Sequence, residues 1–157
     1  MRTYLAEANL GDRNKAIAYL LRHFGMLENE VDDALSLYLQ QCSAVINCED
    51  LSIMAATLAN GGVNPLTNQR AIQEEYVSDL LTVMYTCGMY DFAGEWSYRI
   101  GLPAKSGVGG GILAVVPGQM GIAVYSPRLD QHGNSIAGIK ALEAISAELD
   151  LHIFSGT

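Results

Sequence analysis

The run GVGGGILAVVPG, residues 107–118, constrains this chain more than any other stretch: glycines at 107, 109, 110 and 111 lead into an unbroken apolar segment, 112–116, closed by Pro117-Gly118. That segment is far short of the about 20 residues a membrane helix takes, and its flanking glycines suit a strand. The spacing predicts strands over Val108–Val116 and Ile122–Tyr125, joined by a turn at Pro117-Gly118. Glycine also strips side-chain bulk from one strand edge, so a substrate carbonyl can approach the N–H of Val108 closely enough to hydrogen-bond. Amides bared in this way suit an oxyanion and therefore acyl transfer. A two-stranded hairpin is only marginally stable by itself, so further strands are expected beside it.

Helical periodicity dominates the chain before the hairpin. Asp12 is placed to cap a helix whose apolar stripe is Ile17, Leu20, Leu21 and Phe24, with Gly25 ending it. Glu28, Glu30, Asp32 and Asp33 crowd the start of a second, where the helix dipole favours negative charge, and Leu35, Tyr38, Leu39 and Cys42 follow at helical spacing. Asn47 caps a third, which carries Leu51, Met54, Ala55 and Leu58 and stops at Gly61-Gly62. A fourth covers 74–87 and is broken by Gly88 immediately before Tyr90, and Phe92, Trp96 and Ile100 share a short helical face that Gly101 and Pro103 end. After the hairpin, Asn134 is expected to cap a last helix over 135–149, buried through Ile136, Ile139, Leu142, Ile145 and Leu149. Many helices, one hairpin and one more helix indicate an α+β fold, with a helix covering one face of an antiparallel sheet.

Composition narrows the class of partner. With 157 residues, half of them apolar, the chain can bury a sizeable core as one compact domain or two small ones. A net charge of −8 without any basic cluster argues against nucleic acid and against an anionic membrane surface. A small soluble ligand fits better. Cys42, Cys48 and Cys87 are an odd set without CxxC spacing, and no charged-then-apolar leader opens the chain, which together point to a reducing, cytoplasmic setting. His23, His132 and His152 are scattered without ligand spacing, so neither a metal nor a cofactor is expected. The glycine run lacks the G-x-G-x-x-G register and the GK[ST] ending of phosphate loops.

Five blocks carry a resemblance. LGDRN at 10–14, MAATLANGG at 54–62, MYDFAG at 89–94, GLPAKSGV at 101–108 and GGGILAVVP at 109–117 are similar, in this order, to the serine-dependent glutaminases. The likeness spans essentially the whole chain but only the C-terminal half of the family's pattern. It implies a β-lactamase-like or penicillin-binding-protein-like fold, with residues 1–101 forming a mostly helical subdomain and 102–157 the hairpin and last helix of the α/β subdomain. On that reading the chain is one incomplete glutaminase domain whose remaining strands come from the missing part. It also implies hydrolysis of L-glutamine to L-glutamate and ammonia through a serine acyl-enzyme, and assembly into a homo-oligomer. The family's nucleophile lies in a Ser-x-x-Lys motif upstream of these blocks, and no serine of this sequence has a lysine three residues on. The isolated chain is therefore expected to be inactive. The alternative is a non-catalytic amino-acid-binding or oligomer-assembly module.

The resemblance assigns roles residue by residue. Glu7 and Asn14 are implied to hold the amino-acid end of glutamine, a carboxylate being the natural partner of an ammonium and an amide serving the zwitterion as both donor and acceptor. The plain alternative is a solvated Glu7 and an Asn14 that merely starts a helix. Tyr38 is implied to bond a polar atom of the ligand, against the alternative of a core tyrosine with a wet tip. Tyr90 is implied to relay a proton between serine and departing ammonia, for which a phenol at neutral pH needs a neighbouring cation, Lys105 or the upstream lysine. Val108 is implied to act through its backbone N–H in the oxyanion hole. The Lys105-Ser106-Gly107 step resembles the Lys-Thr-Gly strand of β-lactamases. Ser106 as a nucleophile in its own right has no adjacent base.

Overall fold

The computed structural model describes residues 11–155, which form six α-helices and three strands. In chain order these are α1 (Asp12–His23), α2 (Val31–Cys42), α3 (Cys48–Ala59), α4 (Glu74–Cys87), a 3₁₀ turn (Tyr90–Phe92), α5 (Ala93–Arg99), β1 (Ala104–Ser106), β2 (Gly111–Val116), β3 (Met120–Tyr125) and α6 (Ile136–Glu148). Packing divides the chain into two compact units, Met1–Val45 and Ile46–Thr157. Position 101/102, where helices give way to strands, falls inside the second unit, and Trp96 and Leu102 on either side of it share one core. Among the described residues no helix is long and apolar enough to cross a membrane.

The described residues of the first unit form the helices α1 and α2. Helix α1 starts one residue earlier than expected, with Gly11 as the N-cap and no side-chain cap, so Asp12 acts from inside the first turn through the helix dipole. The expected stripe is not buried: Ile17, Leu20, Leu21 and Phe24 are all exposed, and Ala18 is the buried residue of α1. From α2, Val31 and Leu39 are buried.

The second unit is a three-stranded antiparallel sheet in the order β1-β2-β3. Here the glycine run departs from its expected strand. Ser106 stands opposite Ile112 and Ala104 opposite Ala114, so residues 107–110 form the tip of a tight hairpin between β1 and β2. Gly107 and Gly111 close the tip through Gly107 N–H to Gly111 O at 3.0 Å, and Gly110 adopts φ +97°, which an L side chain resists. Val108 therefore sits on a turn, 69 % exposed, rather than at a strand's first position. The second turn, at 117–119, sits where the Pro-Gly pair predicts it, with Gly118 at φ +73° and Val116 opposite Met120. β1 supplies the extra strand the hairpin needed, from this chain's own residues.

Both faces of the sheet are covered, not one. Ile112, Ala114 and Val116 alternate onto the face that packs against Met89, Trp96, Ile139 and Leu142. Leu113 and Val115 alternate onto the other, against Ala55, Leu58, Ala59, Leu81 and Met84 of α3 and α4. Close approach on this second face requires glycine, since a Cβ on Gly121 of β3 would stand 2.1 Å from the Ala56 backbone nitrogen of α3. The capping box of α3 is as expected: Asn47 Oδ1 accepts from Asp50 N–H at 2.9 Å and Asp50 Oδ2 accepts from Asn47 N–H at 3.1 Å. At α6 the cap is shifted by one. Ser135 Oγ accepts from Gly138 N–H at 3.0 Å, whereas Asn134, expected in that role, is fully buried. The ends of the predicted α6 face, Ile136 and Leu149, are exposed, and Ile139 and Leu142 carry the burial. Trp96 and Ser146 complete the core, Trp96 Nε1–H donating to Leu102 O and Ser146 O–H to Ile100 O, both at 2.7 Å. Each fully buried side chain of Leu or Ile size contributes roughly 1.5–3 kcal/mol.

Candidate functional site

Residues named from the sequence fall in both units. In the first, Asn14 lies in the first turn of α1 and Tyr38 on the last turns of α2, and both line one hollow of about 340 Å³ with Ile17, Ala18, Leu21, Leu27, Ala34 and Leu35. Asn14 is half-buried there and Tyr38 is 49 % exposed, so an amide and a phenol share an otherwise apolar lining. Glu7 lies outside the described residues.

In the second unit, Tyr90, Lys105, Ser106 and Val108 form a cluster where β1 meets the 3₁₀ turn. Tyr90 adopts φ +54°, in the left-handed region that a bulky residue rarely occupies, and its hydroxyl donates to Ser106 O at 3.3 Å. The Lys105 ammonium donates to that same carbonyl and lies 4.7 Å above the Tyr90 ring centre. With the Tyr90 proton committed to Ser106 O, the lone pairs of the phenol oxygen are left to accept from a ligand. The Lys105 residue is exposed overall, yet partial desolvation of its ammonium holds its pKa below the ordinary lysine value. Lys105 also reaches a second, largely apolar hollow of about 380 Å³ on the α3/α4 side of the sheet, lined by Met54, Leu58, Ile72, Met84 and Leu113 among others.

Val108 is brought to the same place by the hairpin tip. A Cβ on Gly133 would lie 3.4 Å from Val108 Cγ1 and 3.8 Å from Tyr90 Cε2, so the 130–134 loop passes close to both. Among the described residues the Val108 N–H has no hydrogen-bond partner, which leaves it available as a donor. Ser106 is 1 % exposed, and burial keeps its hydroxyl from an incoming acyl group. Sequence reasoning missed the 130–134 loop as part of this cluster, having taken Asn134 for a helix cap. The visible signal was the Asp130-x-x-Gly133-Asn134 spacing, since Asp and Gly in that order build tight turns. Among the described residues no three His, Cys, Asp or Glu side chains converge as a metal site.

Comparison with known proteins gives this arrangement its class. The chain superposes on "Probable glutaminase ybaS" with a TM-score of 0.95 and 46 % identity, covering 99 % of this chain and 50 % of that one. It superposes also on the covalent complex between the Bacillus subtilis glutaminase YbgJ and 5-oxo-L-norleucine, formed by reaction with 6-diazo-5-oxo-L-norleucine (TM-score 0.92, 36 % identity, 98 % of this chain and 55 % of that one). The fold is thus the β-lactamase-like α+β fold of the glutaminases. In sequence, the chain is 57 % identical over 151 residues to a glutaminase of Trichormus variabilis, covering 96 % of this chain and 45 % of the relative, and 50 % identical over 151 residues to one of Clostridium tetani, covering 96 % and 49 %. The Glutaminase family profile matches residues 1–154, and the chain belongs to that family. It spans about half the length of the curated relatives it matches.

Proposed function

We propose that this chain carries the substrate grip and the proton-handling side of a glutaminase active site. Glu7, Asn14 and Tyr38 bind the amino-acid end of L-glutamine. Tyr90 and the Val108 N–H serve its side-chain amide. In the reaction so served, a serine oxygen attacks the amide carbon, the carbonyl oxygen takes up negative charge beside the Val108 N–H, and the C–N bond breaks as nitrogen leaves with a proton to become ammonia. Water then cleaves the acyl-enzyme to give L-glutamate. Tyr90 relays the proton: in the first half its O–H leaves Ser106 O and passes its proton to the leaving nitrogen as the phenol oxygen takes up the serine proton, and in the second it passes a proton from the attacking water to the serine oxygen.

The observation that carries the reading is the Val108 N–H, without a hydrogen-bond partner among the described residues, near Tyr90 in a chain of the glutaminase family. No serine of the 157 residues has the Ser-x-x-Lys spacing, so the nucleophile comes from outside this sequence. The purified chain alone therefore releases no ammonia from glutamine, and turnover at an ordinary enzymatic rate would overturn this. Calorimetry tests the grip. Saturable heat with L-glutamate, abolished by Glu7→Ala and by Tyr38→Ala, is the expected outcome, and no heat at all would contradict it. The exposed Leu20 and Phe24 of α1 favour a second reading, an assembly module without ligand, which predicts self-association and no glutamate heat.

A further inference from the structure

Tyr90 holds its left-handed backbone only if neighbouring groups over-determine it, because a bulky residue at φ +54° is strained. Two residues hold the turn through neighbouring carbonyls. Ser106 N–H donates to Gly88 O at 3.0 Å, and Asn134 Nδ2–H donates to Met89 O at 3.2 Å. Asn134 comes from a loop 45 positions away in sequence and is fully buried. The loop is itself braced: Asp130 Oδ1 accepts from the N–H groups of His132 and Asn134, both at 2.9 Å, and His132 stacks on Phe92 at 6.3 Å between ring centres. At Gly133 of this loop, an added Cβ would come within 3.4 Å of Val108 Cγ1 and 3.8 Å of Tyr90 Cε2.

A second observation points to the same residues. Among the described residues, the buried side-chain atoms that make no hydrogen bond are Ser106 Oγ and Asn134 Oδ1, on the two residues that pin this turn. A core selected for stability alone does not leave buried oxygens idle at the joint it depends on. What the buried Asn134 amide does supply is its other atom, Nδ2, to the Met89 carbonyl.

We infer that Asn134 is a positioning residue, whose side-chain N–H fixes the Met89-Tyr90 peptide and thereby sets the Tyr90 phenol and the Val108 amide at one spacing. This rests on the reading of Tyr90 and Val108 as the amide-facing pair. Asn134→Asp keeps the shape and removes the donor, putting a carboxylate oxygen against the Met89 carbonyl.

The test is NMR of the whole chain with ¹³C-labelled tyrosine, the Tyr90 ring signals being assigned by their loss in Tyr90→Phe. Asn134→Asp should move the Tyr90 ring signals and the Val108 amide signal, and should speed hydrogen exchange at the Ser106 N–H at least about tenfold. Ser146→Ala, which removes an equally buried hydroxyl from Ile100 O, serves as the structural control and should lower the melting temperature without moving Tyr90. Unchanged Tyr90 signals in folded Asn134→Asp, or equal movement in Ser146→Ala, would overturn the inference. If Asn134→Asp does not fold, Asn134→Ser decides: its shorter side chain takes the donor out of reach of Met89 O, so the Tyr90 and Val108 signals must shift, and their staying put in the folded variant counts against the inference. Glutamate calorimetry on Tyr90→Phe addresses the functional reading separately, because the spectroscopic result does not depend on whether Tyr90 acts on a ligand.

Discussion

Single glycines decide how closely this chain packs, and they do so for opposite reasons. Gly88 follows α4 with an ordinary right-handed backbone, so nothing conformational requires it, yet a Cβ there would stand 1.8 Å from Ala104 O of β1. Gly121 is in the same position against α3, at 2.1 Å from a backbone nitrogen. In both cases the obstacle is main chain, which cannot rotate aside, so Gly88→Ala and Gly121→Ala must separate a helix from the sheet and should each cost about 1–3 kcal/mol, the usual range for overpacking. Gly94 of α5 offers the reverse case. Nothing lies within 4 Å of a Cβ built on it, and its φ is not positive, so Gly94→Ala should stabilise the chain by about 0.4–1 kcal/mol through the lost freedom of the unfolded state. Urea melts of the three variants check the ordering, and a Gly121→Ala chain as stable as the parent would mean that α3 does not lie on the sheet at this distance.

Elements were legible where their boundary chemistry is local and illegible where a neighbour in space decides. Asn47 and Asp50 cap α3 reciprocally within four consecutive residues, so the start of that helix could be read directly. Asn47→Ala should therefore cost about 1 kcal/mol, with faster amide exchange confined to the first turn of α3. Asn134 has the same residue type before a helix, but the Met89 carbonyl claims its side chain and Ser135 takes the cap; no local pattern distinguishes the two. β1 was missed because three residues, one of them charged, carry no periodicity and become a strand only by pairing with β2. The glycines then read as strand because they adjoin one, although Gly110 needs a backbone that only a turn supplies. Between elements, Arg99 of α5 binds Glu143 of α6 through two contacts at 2.9 and 2.6 Å, and the Arg99 hydrogen bond holds the Glu143 pKa below the ordinary carboxylate value. A depressed carboxylate pKa adds stability that is present above the unfolded-state value and lost as pH falls through the folded-state one. Glu143→Gln should accordingly lower the melting temperature at pH 7, and its deficit should vanish in acid below that lower pKa. A deficit that persists undiminished in acid would assign the effect to packing instead.

Over the molecule, burial among the described residues is shared unequally between the two units, and that asymmetry bears on how a ligand is held. The second unit encloses Trp96, Ile100, Leu102, Ile112 and Leu142 completely, whereas the buried apolar residues of the first, among those described, are Ala18, Val31 and Leu39, with Ile17, Leu20, Leu21 and Phe24 exposed. Local opening free energy follows buried apolar contact, so the amides of α1 and α2 should exchange at least about 100-fold faster than those of β2. Asn14 and Tyr38 belong to the first unit. A ligand that binds the folded form alone stabilises it by about 2.7 kcal/mol at 100 times its dissociation constant, so exchange limited by opening of the unit slows by about 100-fold. Saturating L-glutamate should therefore slow exchange across α1 and α2, by a factor that grows with glutamate concentration, and Tyr38→Ala should cancel the effect. Exchange in α1 and α2 that ignores glutamate at every concentration would show that the hollow between Asn14 and Tyr38 does not grip the amino acid, whatever the second unit does with the amide.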